Sequence, residues 1–183
     1  MPKTVTDNLP NDHPNNTSYS ESEKIAFIQS CWHRDIVDRC REGFTEKLTE
    51  LDDSIVVEYH TVPGAFEIPL VCKQLLSSGE YALVVAAGFV VDGGIYRHEF
   101  VAQSVISGLM QVQLEMNKPV LSAVLTPKDF QETEAHQQFF FDHMQIKGKE
   151  AAEVAASLLK SKSASHELRA TSCKPEDKLS RVS

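Results

Sequence analysis

Two side chains that could move protons or hold a phosphate, Arg97 and His98, follow the glycine pair Gly93-Gly94 in "VVDGGIYRHEF". An apolar run stops at Asp92, and a helical pattern begins near His98. Glycines there let the backbone turn tightly and approach a ligand closely. The amides that open the next helix are unpaired donors carrying partial positive charge, which suits an anion. Arg97 adds a forked cation, and His98 supplies an imidazole, the side chain best suited to moving protons. The plain alternative is an exposed turn with a helix cap, because no complete GxxxxGK[ST] phosphate signature is present.

Three other short stretches carry unusual residues. "SCWHRD" (30–35) holds the only tryptophan, Trp32, which could be a stacking wall or a packing lid; His33 beside it is expected to be a solvated loop residue. "VPGAFE" (62–67) brings Phe66, able to stack on a flat ring, beside Glu67, able to accept hydrogen bonds. Read alone, that stretch is more simply a turn with Phe66 in the core and Glu67 favourable at a helix start. "LTPKDF" (125–130) is the fourth. His136 and His143 flank "QQFFFD", but no HExxH or paired CxxC spacing occurs, so no metal site is expected. "FFF" (139–141) reads as core or subunit interface.

Each of these stretches follows an apolar run. "IAFIQS" (25–30), "ALVVAAGFVV" (82–91) and "PVLSAVLT" (119–126) are nearly continuous in apolar character, as buried parallel strands are. "SIVVEYHTV" (54–62) alternates and is expected at an edge. Helical patterns lie between them: 35–51 with Ile36, Val37, Cys40, Phe44, Leu48 and Leu51 on one face, and 65–79 with Pro69 early and Gly79 late. A third spans about 98–117 and is apolar enough to be covered by a partner subunit; two more stretches, "TEAHQQFFFDHMQ" and "KGKEAAEVAASLLKSK", follow the fourth strand. This alternation predicts an α/β three-layer sandwich with a four-stranded parallel sheet flanked by helices. Ligands of such sheets gather at the carboxyl ends of the strands, where all the unusual stretches fall.

The whole chain sets outer limits. Its 183 residues suit one domain, expected over 24–160, with a flexible arm at 1–23 and a flexible tail at 161–183. A formal charge of −8 argues against nucleic acid as partner but leaves room for one local positive pocket. No apolar stretch approaches the roughly 20 residues of a membrane span, and the polar N-terminus lacks a secretory signal's apolar segment. Four cysteines without a CxxC pair suggest a reduced, cytoplasmic chain.

The stretches "IAFIQSCWHRDIVD", "VPGAFEIPL", "AAGFVVDGGIYRHEFVAQSVISGLMQVQLE", "PVLSAVLTP" and "KGKEAA" together resemble 6,7-dimethyl-8-ribityllumazine synthase, in its type II form. The resemblance covers about 25–159 and implies a flavodoxin-like fold and a step of riboflavin biosynthesis. The expected reaction joins 5-amino-6-(D-ribitylamino)uracil to 3,4-dihydroxy-2-butanone 4-phosphate, with no cofactor. The small-molecule site would lie between subunits of a homo-oligomer, a decamer of two pentamers. The resemblance places Trp32 against the pyrimidine, Ala65, Phe66 and Glu67 along the ribityl chain, and Phe89, Val90 and Val91 at the uracil edge. Arg97 and His98 are the catalytic candidates; Ser122 lines a neighbour's pocket, His136 meets the ketone's phosphate, and Lys147 is a further phosphate or structural contact. Lys128 and Asp129 depart from the histidines expected of close type II relatives. The alternative is a non-catalytic flavin- or lumazine-binding protein on the same fold.

Overall fold

Each apolar run forms a strand because its residues, pointing alternately up and down, can all be buried between two helical layers. The computed structural model describes residues 24–95 and 97–172, with the backbone alone over 162–172. Strands β1 (Ile25–Ser30), β2 (Val57–Val62), β3 (Leu83–Phe89) and β4 (Val120–Leu125) alternate with helices α1 (Arg34–Leu51), α2 (Ile68–Ser77), α3 (His98–Met116) and α4 (Glu134–Ser172). A 3-10 turn, Ala65–Glu67, leads into α2. The sheet is parallel throughout, in the order β2-β1-β3-β4. Phe27 pairs with both Tyr59 and Val85, and Ala86 pairs with Ser122.

Strand burial follows this order. Every residue of central β1 and β3 is buried, whereas β2 lies at an edge with Tyr59 and Thr61 exposed, as its alternation predicts. On one face, Ile25, Phe27, Leu83, Val85 and Phe89 pack with α1 and α4 through Ile36, Val37, Cys40, Phe44 and Met144. On the other, Ala26, Ile28, Val84 and Ala86 pack with α2 and α3 through Ile68, Cys72, Val105 and Leu109. The result is the expected three-layer, flavodoxin-like sandwich. Burying each of the larger core side chains contributes about 1.5–3 kcal/mol.

Local signals set the helix ends. Pro69 sits in the first turn of α2, and Gly79 turns with φ +81 just past its end. Asn117 closes α3 in the left-handed conformation, φ 48. The two helical stretches expected after β4 are one helix, α4. Gly148 lies within it but does not break it: the position is a packing contact. A Cβ on Gly148 would collide with the Cys40 carbonyl of α1, and one on Gly43 with the Gln145 carbonyl of α4. Ion pairs Lys149–Glu46 (2.9 Å) and Lys47–Glu153 (3.7 Å) flank the crossing. Beyond Lys160 the backbone stays helical to Ser172, with no Gly or Pro to stop it. The arm expected over 1–23, the end of the tail from 173, and Tyr96 lie outside the described residues. Among the described residues no helix is long and apolar enough to cross a membrane.

Candidate active site

In this strand order the chain leaves β1 toward one edge through β2 and returns to build β3 and β4 on the other side. The carboxyl ends of β1 and β3 therefore form the topological switch point where such sheets bind ligands. The segments after β1, β2 and β3 meet here. The Cys31 amide donates to the Val62 carbonyl (2.9 Å), joining the ends of β1 and β2, and the Val90 amide donates to the Leu125 carbonyl (2.9 Å), joining β3 and β4. Gly88 is close to both Ser30 and Ala65: a Cβ there would lie 3.3 Å from Ser30 Oγ and 3.6 Å from Ala65 Cβ. Ala65 packs on the same cluster as Val101 and Ala102 of α3, so the second and third loops share one floor.

Trp32 stands at the end of this crevice with 66% of its surface exposed. That exposure leaves only about a third of the residue packed against its own chain. Phe66 is likewise 63% exposed, so it is not a core residue. The Glu67 carboxylate accepts a hydrogen bond from the Gly64 amide (2.9 Å), which fixes the Pro63-Gly64 turn. That is the helix-start role weighed for Glu67, and its exposed position leaves the rest of the carboxylate open to solvent. Phe89 and Val90 are buried and Val91 half-buried, so this strand end offers backbone groups rather than side chains.

The third loop turns at Asp92, whose Oδ1 accepts from the Gly94 amide (2.9 Å), and Gly94 takes φ +73. A left-handed backbone of this kind favours glycine. Arg97 occupies the N-cap of α3 with extended backbone, and its guanidinium lies 4.6 Å from the Phe100 ring centroid. His98 opens the helix, largely covered, with Nδ1 3.7 Å from the Glu99 carboxylate. A forked cation, an imidazole and the first amides of a helix thus stand together at one rim, able to hold an anion and shuttle a proton.

Three expected residues lie elsewhere in this chain. Ser122 is mid-strand in β4, exposed on the α2/α3 face. His136 sits in the first turns of α4, its Nδ1 accepting from the Gln131 amide (3.2 Å). Lys147 lies about 16 Å further along α4 at 1.5 Å per residue, paired with Glu150 (2.6 Å). Among the described residues no group of three or more His, Cys, Asp or Glu could hold a metal ion.

His33 corrects its sequence reading. It is not a solvated loop residue but packs edge-on against Phe89 (5.5 Å between centroids) and Phe130 (5.7 Å). Its backbone is left-handed, φ 51 and ψ 44, a conformation costing a non-glycine residue about 1–2 kcal/mol. Phe130 and Gly88 escaped sequence reasoning. Gly88 had a signal, a glycine inside an apolar strand, which marks close approach. Phe130 had only its apolar character within a polar loop.

The match to known proteins is extensive. Residues 22–163 match the family model described as 6,7-dimethyl-8-ribityllumazine synthase. A protein of Pseudomonas syringae pv. tomato named 6,7-dimethyl-8-ribityllumazine synthase 2 is 52% identical over 160 residues, 87% of this chain and 90% of that one. A Rhodococcus erythropolis 6,7-dimethyl-8-ribityllumazine synthase is 52% identical over 142 residues, 77% of this chain and 92% of its own. A Bradyrhizobium diazoefficiens relative, again named synthase 2, is 49% identical over 148 residues, 81% of this chain and 87% of its own. With a family match over most of its length on a four-stranded flavodoxin-like sheet, the chain belongs to the 6,7-dimethyl-8-ribityllumazine synthase family.

Proposed function

We propose that residues 24–160 catalyse the condensation of 5-amino-6-(D-ribitylamino)uracil with 3,4-dihydroxy-2-butanone 4-phosphate, a step of riboflavin biosynthesis. The observation that carries this is the gathering of Trp32, Ala65–Glu67, Phe89–Val91 and Arg97–His98 at the carboxyl rim of one sheet. The amine attacks the ketone and expels water to give an imine. The phosphate then leaves with its C–O electron pair, and ring closure onto the second nitrogen releases another water.

Trp32 stacks on the pyrimidine, Phe66 and Glu67 line the ribityl chain beside Ala65, and backbone groups at Phe89–Val91 read the uracil edge. Arg97 and the amides opening α3 receive the phosphate, and His98 carries protons between the amine, the ketone oxygen and the leaving group. Holding two substrates in register makes a bimolecular step effectively intramolecular, so positioning supplies much of the rate.

The site is completed by a neighbouring protomer. Trp32, Phe66 and Ile95 are exposed at the rim, and α3 exposes Phe100, Ile106, Met110 and Leu114. Apolar surface of this extent marks an interaction face. We assign it to a homo-oligomer, a decamer of two pentamers, in which Ser122, His136 and Lys147 serve the adjoining site. His136 and Lys147 then meet the ketone's phosphate from that side. The buried free thiols of Cys40 and Cys72 suit the reducing cytoplasm.

The test is a two-substrate assay on the full chain with native mass measurement. Release of phosphate together with a fluorescent lumazine is the expected result. A folded assembly that binds lumazine or flavin without releasing phosphate would establish the non-catalytic alternative.

A further inference from the structure

We propose that Phe130 is a positioning residue that acts through His33 to orient the Trp32 indole, coupling the loop between β4 and α4 to the ring-stacking shelf. The inference rests on the stacking role proposed for Trp32.

An exposed side chain has no core to hold it. With two thirds of Trp32 in solvent, the direction of its indole is set by the backbone at 31–33. Cys31 is anchored on one side through the Val62 carbonyl. On the other side stands His33, left-handed and therefore held by its surroundings rather than by its own preference. Two restraints hold it. The His33 carbonyl accepts the Val37 amide (3.0 Å) at the start of α1. The His33 ring is wedged edge-on between Phe89 and Phe130, which themselves meet at 5.2 Å and 85°.

Phe130 is the part of this wedge that can move. Phe89 belongs to a central strand and is buried. Phe130 comes from a loop and is only half-buried, steadied by Phe140 of α4 (5.6 Å), which also touches Phe89 (5.1 Å). The same loop leads through Gln131, whose amide donates to His136, into the start of α4. A shift of this loop therefore reaches Trp32 by way of the two rings, although positions 32 and 130 are far apart in the chain. Edge-to-face ring contacts are directional, so they transmit orientation as well as proximity.

The chain's single tryptophan makes the coupling directly readable. In Phe130→Ala, Trp32 fluorescence should lose anisotropy and become more easily quenched by acrylamide. The KM for the ribitylaminouracil should rise about tenfold with kcat little changed, as expected when a binding wall is misplaced. Phe130→Leu, which refills the wedge, should recover most of both. His33→Asn, which keeps a residue tolerant of the left-handed backbone but removes the ring, should reproduce the Phe130→Ala signature. Unchanged Trp32 quenching and anisotropy in both Phe130→Ala and His33→Asn would overturn the proposal. So would a rise confined to the KM of the phosphorylated ketone. If Phe130→Ala does not fold by circular dichroism, His33→Asn decides by the same readings. If the wild-type chain shows no turnover, the functional reading fails and the fluorescence measurements alone decide the coupling.

Discussion

Gly148 of α4 rests against the Cys40 carbonyl of α1 with no room for a side chain between them. The same crossing has Gly43 against the Gln145 carbonyl, so each helix contributes one glycine to a backbone-on-backbone contact. Gly148→Ala should force the helices apart and destabilise the chain by about 2–3 kcal/mol, in the upper range of overpacking penalties. Alanine would otherwise favour a helix interior by roughly 1 kcal/mol over glycine, so a denaturation midpoint that rises on this substitution would contradict the packing.

His98→Ala should reduce turnover by about a hundredfold, the lower end of general acid–base contributions, with unchanged native mass. Initial rates of lumazine formation, set beside mass measurement, check both halves. Loss of folding or assembly would instead assign His98 a structural role at the start of α3.

Phe66→Ala should leave the secondary structure seen by circular dichroism unchanged, since the ring packs on no core of the single chain. Losing its contact with the ribityl substrate costs about 1 kcal/mol, which corresponds to roughly a fivefold rise in KM. Saturation kinetics in that substrate, at fixed ketone concentration, measure it.

At the opposite end of the sheet from the site, Lys24 and then Tyr81 hydrogen-bond the Glu58 carboxylate and hold its pKa below the usual 4.5. Its folded pKa is the lower one. The resulting stabilisation is present above pH 4.5 and lost as pH falls toward the depressed folded value. Burial, then Glu58, pushes Tyr81 up to about 12, so its contribution is present below its ordinary 10.0 and lost as pH rises toward 12. Melting curves of wild type and Glu58→Gln should therefore differ at pH 6 to 8 and converge as pH falls below 4.5 through the depressed folded value. A difference that widens in acid would refute the assignment.

Burial pushes the thiols of Cys40 and Cys72 each up to about 12, whereas Cys31 is exposed beside Trp32. Only thiolate reacts with iodoacetamide. At pH 8 Cys31 should be alkylated well before Cys40 or Cys72, as peptide mapping by mass spectrometry will show.

Much of the architecture is written locally in the chain. Continuous apolar runs at 25–30 and 82–91 became the central parallel strands and the alternation of 54–62 marked an edge, but the equally apolar 119–126 forms the other edge with Ser122 exposed, because strand order is not a property of consecutive residues. Pro69 and Gly79 announced the ends of α2. Tertiary structure alone decided the roles of residues whose partners are remote. Whether Gly148 breaks a helix or seats one depends on Cys40, and whether His33 faces water or a wedge of rings depends on Phe89 and Phe130. No spacing rule connects such positions. They meet because a parallel sheet returns every strand end to the same rim, bringing loops close in space that are distant along the chain.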